Sequence, residues 1–314
     1  MDRPSRSDRL PAAEAPLSEA WREHRRYVLD VAYRMLGSIS EAEDVVQEAF
    51  TRLLDVDLDE IEDVRAWLVV VVTRLCLDQL RSARSRREAY VGPWLPEPLV
   101  PPPGAEPDPA DRVTLDDSVR MALLVVLERL TPAERAAFVL HDVFQFPFDA
   151  VGSIVGRSPA ATRQLASRAR RRIRSETSPA RFEVDPSTLR SVAERFIAAA
   201  SSGDFDALIE VLDPDAVGET DGGGITGAPR KPVVGRDRVA RTLLGVLRTL
   251  GLRLAPMAVN GEPGVVAYRD GEVAGVITLT VRDGRVTYLR AVTNPAKLAY
   301  VRSLLEGGGA PAQP

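Results

Sequence analysis

The sequence has little of the chemistry used by disulfides, metal sites and acid–base catalysis. It contains one cysteine, Cys76, and two histidines, His24 and His141, in 314 residues. A single cysteine excludes an internal disulfide and suits a reducing cytoplasm. Cys76 lies in the apolar run WLVVVVTRLCL, where we expect a small buried side chain. Because no His/Cys cluster exists, we expect no metal site and no cofactor.

Long hydrophobic runs are also missing. The longest apolar run is well short of the roughly 20 residues that cross a bilayer, so we expect a cytoplasmic protein without a membrane segment. The start of the chain, MDRPSRSDRLPAAEAPL, has no apolar signal core. The net charge of −4 gives no overall attraction to nucleic acid, but the arginines cluster in two places.

Composition and turn residues divide the chain into parts. A hydrophobic content of 45 % and a length of 314 residues predict two or three packed domains. The predicted parts are a disordered tail (1–16), a helical domain (17–88), a proline-rich linker (89–109), a second helical domain (110–177), an α+β domain (185–305) and a flexible tail (306–314).

The first helical domain carries two contrasting helices. In SISEAEDVVQEAFTRLL, Ser40 and Glu43 predict an N-terminal capping box, followed by an apolar stripe at Val46, Ala49, Phe50 and Leu53. Acidic residues lie opposite, which by pattern alone is a solvated face. DVRAWLVVVVTRLCLDQLRSARSRR is predicted to be a buried helix that ends in arginines, and a basic helix end can simply compensate the helix dipole.

The second helical domain predicts a helix-turn-helix. Thr131, Pro132 and Glu134 form another capping box. A short helix then ends at Gly156, and the next begins at Ser158-Pro159. At about 100° per residue the second helix has an apolar arc and an opposite basic arc, which suits phosphates and guanine edges in a major groove. A solvated amphipathic helix is the alternative. The candidate DNA-binding residues are Arg163, Gln164, Ser167, Arg168, Arg170, Arg171 and Arg174.

The third domain combines helices with an antiparallel sheet. β-Branched runs from Leu252 onward are separated by Asp270-Gly271 and Asp283-Gly284, which are strong hairpin turns. Acid–base catalysis would have only Glu219 and Asp221 available, since both histidines lie outside this domain. We therefore expect no catalysis, and a ligand-sensing or a protein-contact role stays open.

The order of these parts resembles the extracytoplasmic-function group of sigma-70 transcription initiation factors. AYRMLGSISEAEDVVQEAFTRLL is similar to the part of region 2 that docks on the β′ clamp helices of core RNA polymerase. The Arg-ended helix is similar to the part that melts and reads the minus-ten element, and LTPAERAAFVLHDVFQFPFDAVGSIVGRSPAATRQLASRARRRI to region 4, which reads the minus-thirty-five element beside the β flap. The resemblance implies a stress-response factor with polymerase-binding residues Glu41, Asp44, Gln47 and Glu48, and additional DNA-binding residues Arg81, Arg84, Arg86 and Arg87.

Three short motifs resemble sigma factors that carry a SnoaL-like domain of the nuclear-transport-factor-two-like fold. They are WLPEP at Trp94–Pro98, DGGGI at Asp221–Ile225 and NPAKL at Asn294–Leu298. Ile225 departs from the basic residue expected after the glycines. We predict an interdomain docking set of Tyr90, Trp94, Leu95, Glu97, Asp221, Gly222, Gly223, Gly224, Asn294 and Lys297.

The linker YVGPWLPEPLV holds more apolar surface than a spacer needs. We predict that it docks on the third domain near the glycine loop, with Arg230 or Lys231 meeting Glu97. The alternative is a free linker that threads into the polymerase cleft. Two other functions stay open: a one-component helix-turn-helix regulator with a small-molecule domain, and an enzyme with a DNA-binding tether. The acidic helix and the Arg-ended helix argue against the regulator, which would not need them, and the enzyme would require a pocket substrate that turns over.

Overall fold

The computed structural model describes residues 10–88, 90–101, 120–176 and 185–306. The chain divides into two compact units, the first from residues 1–84 and 129–172, the second from residues 85–128 and 173–314. None of the described helices is long and apolar enough to cross a membrane.

The first half of the chain is helical. Its α-helices are α1 (Leu10–Leu36), α2 (Ile39–Leu53), α3 (Val64–Glu88), α4 (Met121–Leu127), α5 (Pro132–Phe138), α6 (Phe148–Val155) and α7 (Pro159–Glu176). A 3-10 turn lies at Leu58–Glu60 and a π-helical turn at Val139–Val143.

The second half mixes helices and strands. In chain order these are α8 (Pro186–Ser202), α9 (Phe205–Val211), β1 (Leu212–Asp221), β2 (Val233–Val234), α10 (Arg236–Leu250), β3 (Arg253–Val259), β4 (Glu262–Arg269), β5 (Glu272–Arg282), β6 (Arg285–Val292) and α11 (Ala299–Glu306).

Two details of the first unit differ from the sequence prediction. Helix α1 begins at Leu10, inside the segment predicted as a disordered tail; Pro11 occupies a first-turn position, where its missing N–H is not needed, and the alanines that follow favour a helix. Residues 1–9 and 307–314 of the predicted tails lie outside the described residues. The N-cap of α2 is Ser38, whose Oγ accepts from the Glu41 N–H at 3.1 Å, so the prediction of Ser40 was wrong. Because the cap lies two residues earlier than predicted, Ile39 is the first helical residue and is buried in the core.

The core of the first unit uses the predicted apolar positions. The four valines of α3 are helical, and Cys76 is fully buried, which raises the pKa of its thiol. Helix α5 is joined to the end of α1 because the buried Arg135 donates from Nη1 to the Met35 carbonyl at 2.8 Å. The capping box at Thr131 and Glu134 is confirmed.

The sheet of the second unit has the order β2-β1-β6-β5-β4-β3. The hairpins turn at Asp270-Gly271 and Asp283-Gly284, as predicted, with positive φ at all four residues. The sheet is not purely antiparallel, because β1 pairs in parallel with β6. Strands β2–β5 and helix α10 lie between β1 and β6 in the chain, so β1 reaches β6 through a long connection rather than a hairpin.

The two faces of the sheet bury different partners. One face packs against α8, α9 and α10 around the fully buried Phe196. The other face buries Leu95 and Val100 of the linker, together with Met121 and Val125 of α4. Helix α4 was assigned from sequence to the helix-turn-helix domain. Its two side chains four residues apart share one face, and that face joins the second unit.

Candidate nucleic-acid interface and linker site

A tight turn orients the second helix of the helix-turn-helix. Gly156 ends α6 in the left-handed region at φ 68°, and the Ser158 hydroxyl accepts from the Ala161 N–H at 3.3 Å at the start of α7. A Cβ on Gly152 would lie 2.6 Å from the Arg157 carbonyl oxygen. Glycines thus allow the close approach of turn and helix.

Helix α7 presents the predicted polar arc to solvent. Its apolar arc is buried, with Thr162, Leu165, Ala166, Ala169 and Ile173 inside. Arg170 is half-buried. The exposed members of the candidate set are Arg163, Gln164, Ser167, Arg168, Arg171 and Arg174.

Two carboxylates that sequence reasoning did not link to this face engage it. Glu134 accepts from Arg168 Nε at 3.0 Å while its other oxygen accepts from the Thr131 N–H. Asp142 accepts from Arg170 Nε at 2.6 Å. Arg163 lies over the Phe148 ring at 5.3 Å. The capping box was visible in the sequence, but its contact with α7 depends on how α5 folds back.

The acidic face of α2 is available to a partner. Asp44, Gln47 and Glu48 are exposed and Glu41 is half-buried. Glu43, predicted to close a capping box, instead pairs with Arg25 at 3.1 Å, and Glu48 pairs with Arg52 at 2.9 Å.

The basic end of α3 is described only in part. Arg81 is exposed and pairs with Asp78 at 2.9 Å. Arg84, Arg86 and Arg87 belong to the helix, but their side chains lie outside the described residues.

The linker crosses the second face of the sheet and closes over a buried ion pair. Lys297 Nζ donates to Asp221 Oδ2 at 2.7 Å and to the Leu95 carbonyl at 2.5 Å. The Leu95 N–H donates to the same Asp221 oxygen at 2.9 Å. Asp221 is 0 % and Lys297 5 % exposed. A main-chain group of the linker therefore satisfies each charge. We call Asp221, Lys297 and the linker residues that contact them the latch.

Two aromatic rings complete the latch. The Tyr90 hydroxyl donates to Asp221 Oδ1 and accepts from Asn294 Nδ2 at 2.8 Å. The Trp94 ring lies edge-on to Tyr90, and Lys297 Nζ is 3.3 Å from its centroid. This cation–π contact supplements the ion pair in a site largely closed to water.

Burial shifts two pKa values in the latch. Desolvation lowers the pKa of Lys297, and the Asp221 carboxylate opposes that shift. Desolvation raises the pKa of Tyr90, and its hydrogen bond to Asp221 acts in the same direction. The arrangement holds Tyr90 as a neutral donor.

Glycine is required at Gly222, Gly223 and Gly224, because a side chain at each position would collide with a neighbouring residue. A Cβ on Gly223 would lie 2.5 Å from Asn294 Nδ2, and a Cβ on Gly224 2.9 Å from the Val91 Cβ; both glycines have positive φ. A Cβ on Gly222 would lie 2.8 Å from the Ala228 Cβ. Ile225, which departs from the expected motif, is 73 % exposed. Val91 of the linker thus leaves no space for a side chain at the third glycine, Gly224.

The charge partner of the linker differs from the prediction. Glu97 is buried at 7 % exposure and contributes to the electrostatic field at Lys297. Arg230 and Lys231, the predicted partners, are exposed. Lys297 occupies the interior position because it follows the Asn294 turn beneath the linker, a placement that sequence spacing cannot supply.

A second anchor was missed by sequence reasoning. The Leu99 N–H donates to Asn260 Oδ1 at 3.2 Å, and the Asn260 N–H donates to the Leu99 carbonyl at 2.8 Å. Asn260 has φ 53° and is buried. Beyond the linker, Arg120 pairs with Glu262 at 3.5 Å. The Asn-Gly turn in the sequence was a signal for a hairpin, but not for its side-chain contact with Leu99.

The candidate catalytic carboxylates have structural partners. Asp221 belongs to the latch, and Glu219 pairs with Arg290 at 3.4 Å. Phe196 fills the space between helices and sheet. A cavity of about 240 Å³ lies between Val91 and Gly92 of the linker and the loop from Gly222 to Arg230.

Three sequence families match the chain in succession. Sigma-70 region 2 matches residues 20–86, Sigma-70 region 4 residues 120–173, and a SnoaL-like domain residues 193–289. The region 4 match includes α4, although α4 packs in the second unit.

Curated relatives match over nearly the whole chain. The probable ECF RNA polymerase sigma factor SigI of Mycobacterium tuberculosis is 44 % identical over 297 residues, which cover 93 % of this chain and 98 % of the relative. The ECF RNA polymerase sigma factor SigJ of the same organism is 43 % identical over 286 residues, covering 87 % and 90 %. The crystal structure of SigJ matches with a TM-score of 0.69 and 38 % identity, over 88 % of this chain and 95 % of that one.

Breaking the latch at one charge should be costly. Lys297→Met leaves Asp221 buried and unpaired, so we expect the second unit to lose about 3–5 kcal/mol of stability. Replacing both charges, as Asp221→Asn with Lys297→Met, should cost less than the sum of the single changes. Urea unfolding followed by Trp94 fluorescence, in a Trp21→Phe/Trp67→Phe background, measures this. Strict additivity would contradict the pairing.

Proposed function

Because the chain belongs to the extracytoplasmic-function sigma factors of RNA polymerase, which bind core polymerase and promoter DNA, we propose that its SnoaL-like domain restrains the free protein through the latch. As a sigma factor it directs polymerase to promoters and is not an enzyme. We infer that it acts in the cytoplasm, with the polymerase.

The observation that carries the proposal is the use of Leu95 as a partner for both latch charges. Its N–H meets Asp221 and its carbonyl meets Lys297. Because the same linker residue satisfies both charges, undocking the linker exchanges these protein hydrogen bonds for hydrogen bonds to water. The docked linker is therefore one state of a two-state element, and polymerase binding favours the other.

Three surfaces of the helical half would serve the promoter function. The exposed arc of α7 suits the minus-thirty-five element, where residues near the helix start contact base edges. The basic end of α3 suits the minus-ten element. The exposed Asp44, Gln47 and Glu48 on α2 suit a basic surface of core polymerase, with the β′ clamp helices as the expected partner. The β flap is the expected partner of region 4.

The rival functions have weaker support. A one-component regulator needs neither the acidic face of α2 nor the region 2 match. An enzyme needs a free acid or base in the third domain, and both candidate carboxylates are engaged there. A small ligand in the cavity beside the glycine loop is compatible with the proposal, since it would contact linker and loop together.

Two arginines of α7 should separate sequence reading from phosphate binding. We expect Arg163→Ala to relax sequence preference at a cost of about 1–3 kcal/mol, since a bidentate base contact is lost. Arg174→Ala should weaken all promoters alike and reduce the salt dependence. Holoenzyme titrations on matched and mutated promoter DNA measure both effects. Equal loss on every sequence for Arg163→Ala would count against its assignment.

Charge reversal on α2 should abolish polymerase binding. Asp44→Arg with Glu48→Arg places positive charge on an exposed face, so folding should change by no more than about 0.5 kcal/mol. Pull-down of core polymerase measures association, and circular dichroism checks the fold. A matched control is Asp57→Arg with Asp59→Arg, on the 3-10 turn. Normal association of the α2 variant would refute the docking face.

Releasing the linker tests the restraint. Trp94→Ala with Leu95→Ala removes the ring beside Lys297 and a fully buried side chain, and changes of this kind cost about 2–5 kcal/mol each. We expect faster protease cleavage between residues 90 and 101 in the free protein. Transcription from a cognate promoter in a reconstituted system should rise, because less work is needed to undock the linker.

The control and the opposing results are specific. Leu54→Ala removes an exposed leucine of the first unit, 54 % accessible, and should leave cleavage and transcription unchanged. Unchanged cleavage in the linker variant, together with solvent-like Trp94 fluorescence in a Trp21→Phe/Trp67→Phe protein that retains Trp94, would overturn docking. Faster cleavage with loss of transcription would instead assign the linker an activating role inside the polymerase cleft.

A further inference from the structure

Helix α10 carries a second basic face, on the domain that the promoter function has not used. Its buried residues Val239, Ala240 and Leu247 lie on one side of the helix. At about 100° per residue the opposite side is centred on Gly245. Arg238, Arg241 and Arg248 lie within about 60° of that centre, and all three side chains are exposed.

The arginines of this face are largely unneutralised. Asp237 is the only acidic residue of α10; it borders the face one turn before Arg241 and pairs with Arg236 at 3.8 Å. Arg241 lies over the Phe205 ring at 5.6 Å. Within the described parts of the chain, Arg238 and Arg248 form no ion pair with a carboxylate. These exposed guanidiniums are therefore open to an anionic partner.

The glycine at the centre of the face points to close approach. Gly245 is in the interior of an exposed helix, where glycine is unfavourable relative to alanine. A Cβ there would meet no atom within 4 Å, so packing inside the protein does not require the glycine. A helix that lies directly against a polyanion backbone gains from a bare Cα at its contact line.

We propose that the α10 face of Arg238, Arg241 and Arg248 binds the phosphate backbone of duplex DNA. The first and last of these arginines lie about 15 Å apart along the helix axis, at 1.5 Å per residue. That length matches four or five base pairs at 3.4 Å per step. The helix has no asparagine or glutamine that could read base edges, so the contact would be independent of DNA sequence. The third domain would thereby add non-specific affinity to promoter binding.

DNA fits this face better than an acidic protein surface does. The three arginines lie within one sector of about 80° on a single helix, and a sector of cations along a helix is complementary to the phosphates of a DNA strand. A protein partner would also use the apolar neighbours of the face. The exposed Val246 and Leu250 lie instead toward the buried side of α10, away from Gly245. The inference rests on the sigma-factor function alone and does not depend on the latch.

Salt dependence tests the contact. In holoenzyme reconstituted with the full chain, Arg238→Ala/Arg241→Ala/Arg248→Ala should flatten the plot of log affinity against log salt for promoter DNA by about 2–3 units, since each phosphate contact contributes about 0.9. The charge-matched control replaces Arg269, Arg282 and Arg285, which are exposed at the sheet turns, and should leave the slope unchanged. Equal slopes for the triple variant and the native protein would overturn the proposal.

A second variant pair separates contact from charge. Gly245→Ala should raise the thermal stability of the domain, whereas Gly245→Glu should reduce DNA affinity at low salt without unfolding it. Pull-down of core polymerase without DNA completes the test. If the triple variant loses core association while its DNA slope is unchanged, the face binds protein and the DNA proposal is wrong. If the protein did not act as a sigma factor, holoenzyme with the native chain and with the control variant would both fail to transcribe.

Discussion

The ion pair between Asp221 and Lys297 is the constraint on which the second unit depends. Two opposite charges removed from water are expensive unless every remaining hydrogen-bonding position is satisfied. Here the partners include the Leu95 main chain and the Tyr90 hydroxyl. Those partners belong to a linker, so the satisfaction of the buried charges and the position of the linker are one condition.

The residues around the ion pair are those that allow the linker and the Asn294 turn to approach it. The Gly223 and Gly224 positions must lack side chains so that Asn294 and Val91 can approach. The prolines restrict the linker before it docks, which reduces the entropy lost on docking. A hydrophobic anchor alone would hold the linker with no dependence on charge. A charged anchor differs, because water can rehydrate both groups when the linker leaves, and this lowers the cost of release.

Carboxylates engage two of the arginines that we propose for DNA binding. On α7, Arg168 and Arg170 already have acidic partners in the free protein. DNA phosphates would have to compete with Glu134 and Asp142 for these guanidiniums, so the two arginines contribute less net affinity than exposure alone suggests. Among the described residues, Arg238 and Arg248 of the α10 face have no carboxylate partner of this kind.

Sequence patterns determined the elements with local signals. The arcs of α7, the box at Thr131, the hairpin turns at Asp270-Gly271 and Asp283-Gly284, and the burial of Cys76 depend on residues close together in the chain, so periodicity and turn chemistry were sufficient. The motifs around Trp94, Asp221 and Asn294 indicated that distant segments meet.

Only the tertiary structure decided how these distant segments meet. Ser38 rather than Ser40 caps α2, which places Ile39 in the core, and the parallel pairing of β1 with β6 joins strands that are separated in the chain by α10 and four other strands. The basic residue that contacts the linker proved to be Lys297 rather than Arg230 or Lys231, and α4 packed against one face of the sheet. These outcomes depend on which residues are buried in the folded chain. The free energy of burial involves contacts between distant segments, and a local sequence pattern does not describe such contacts.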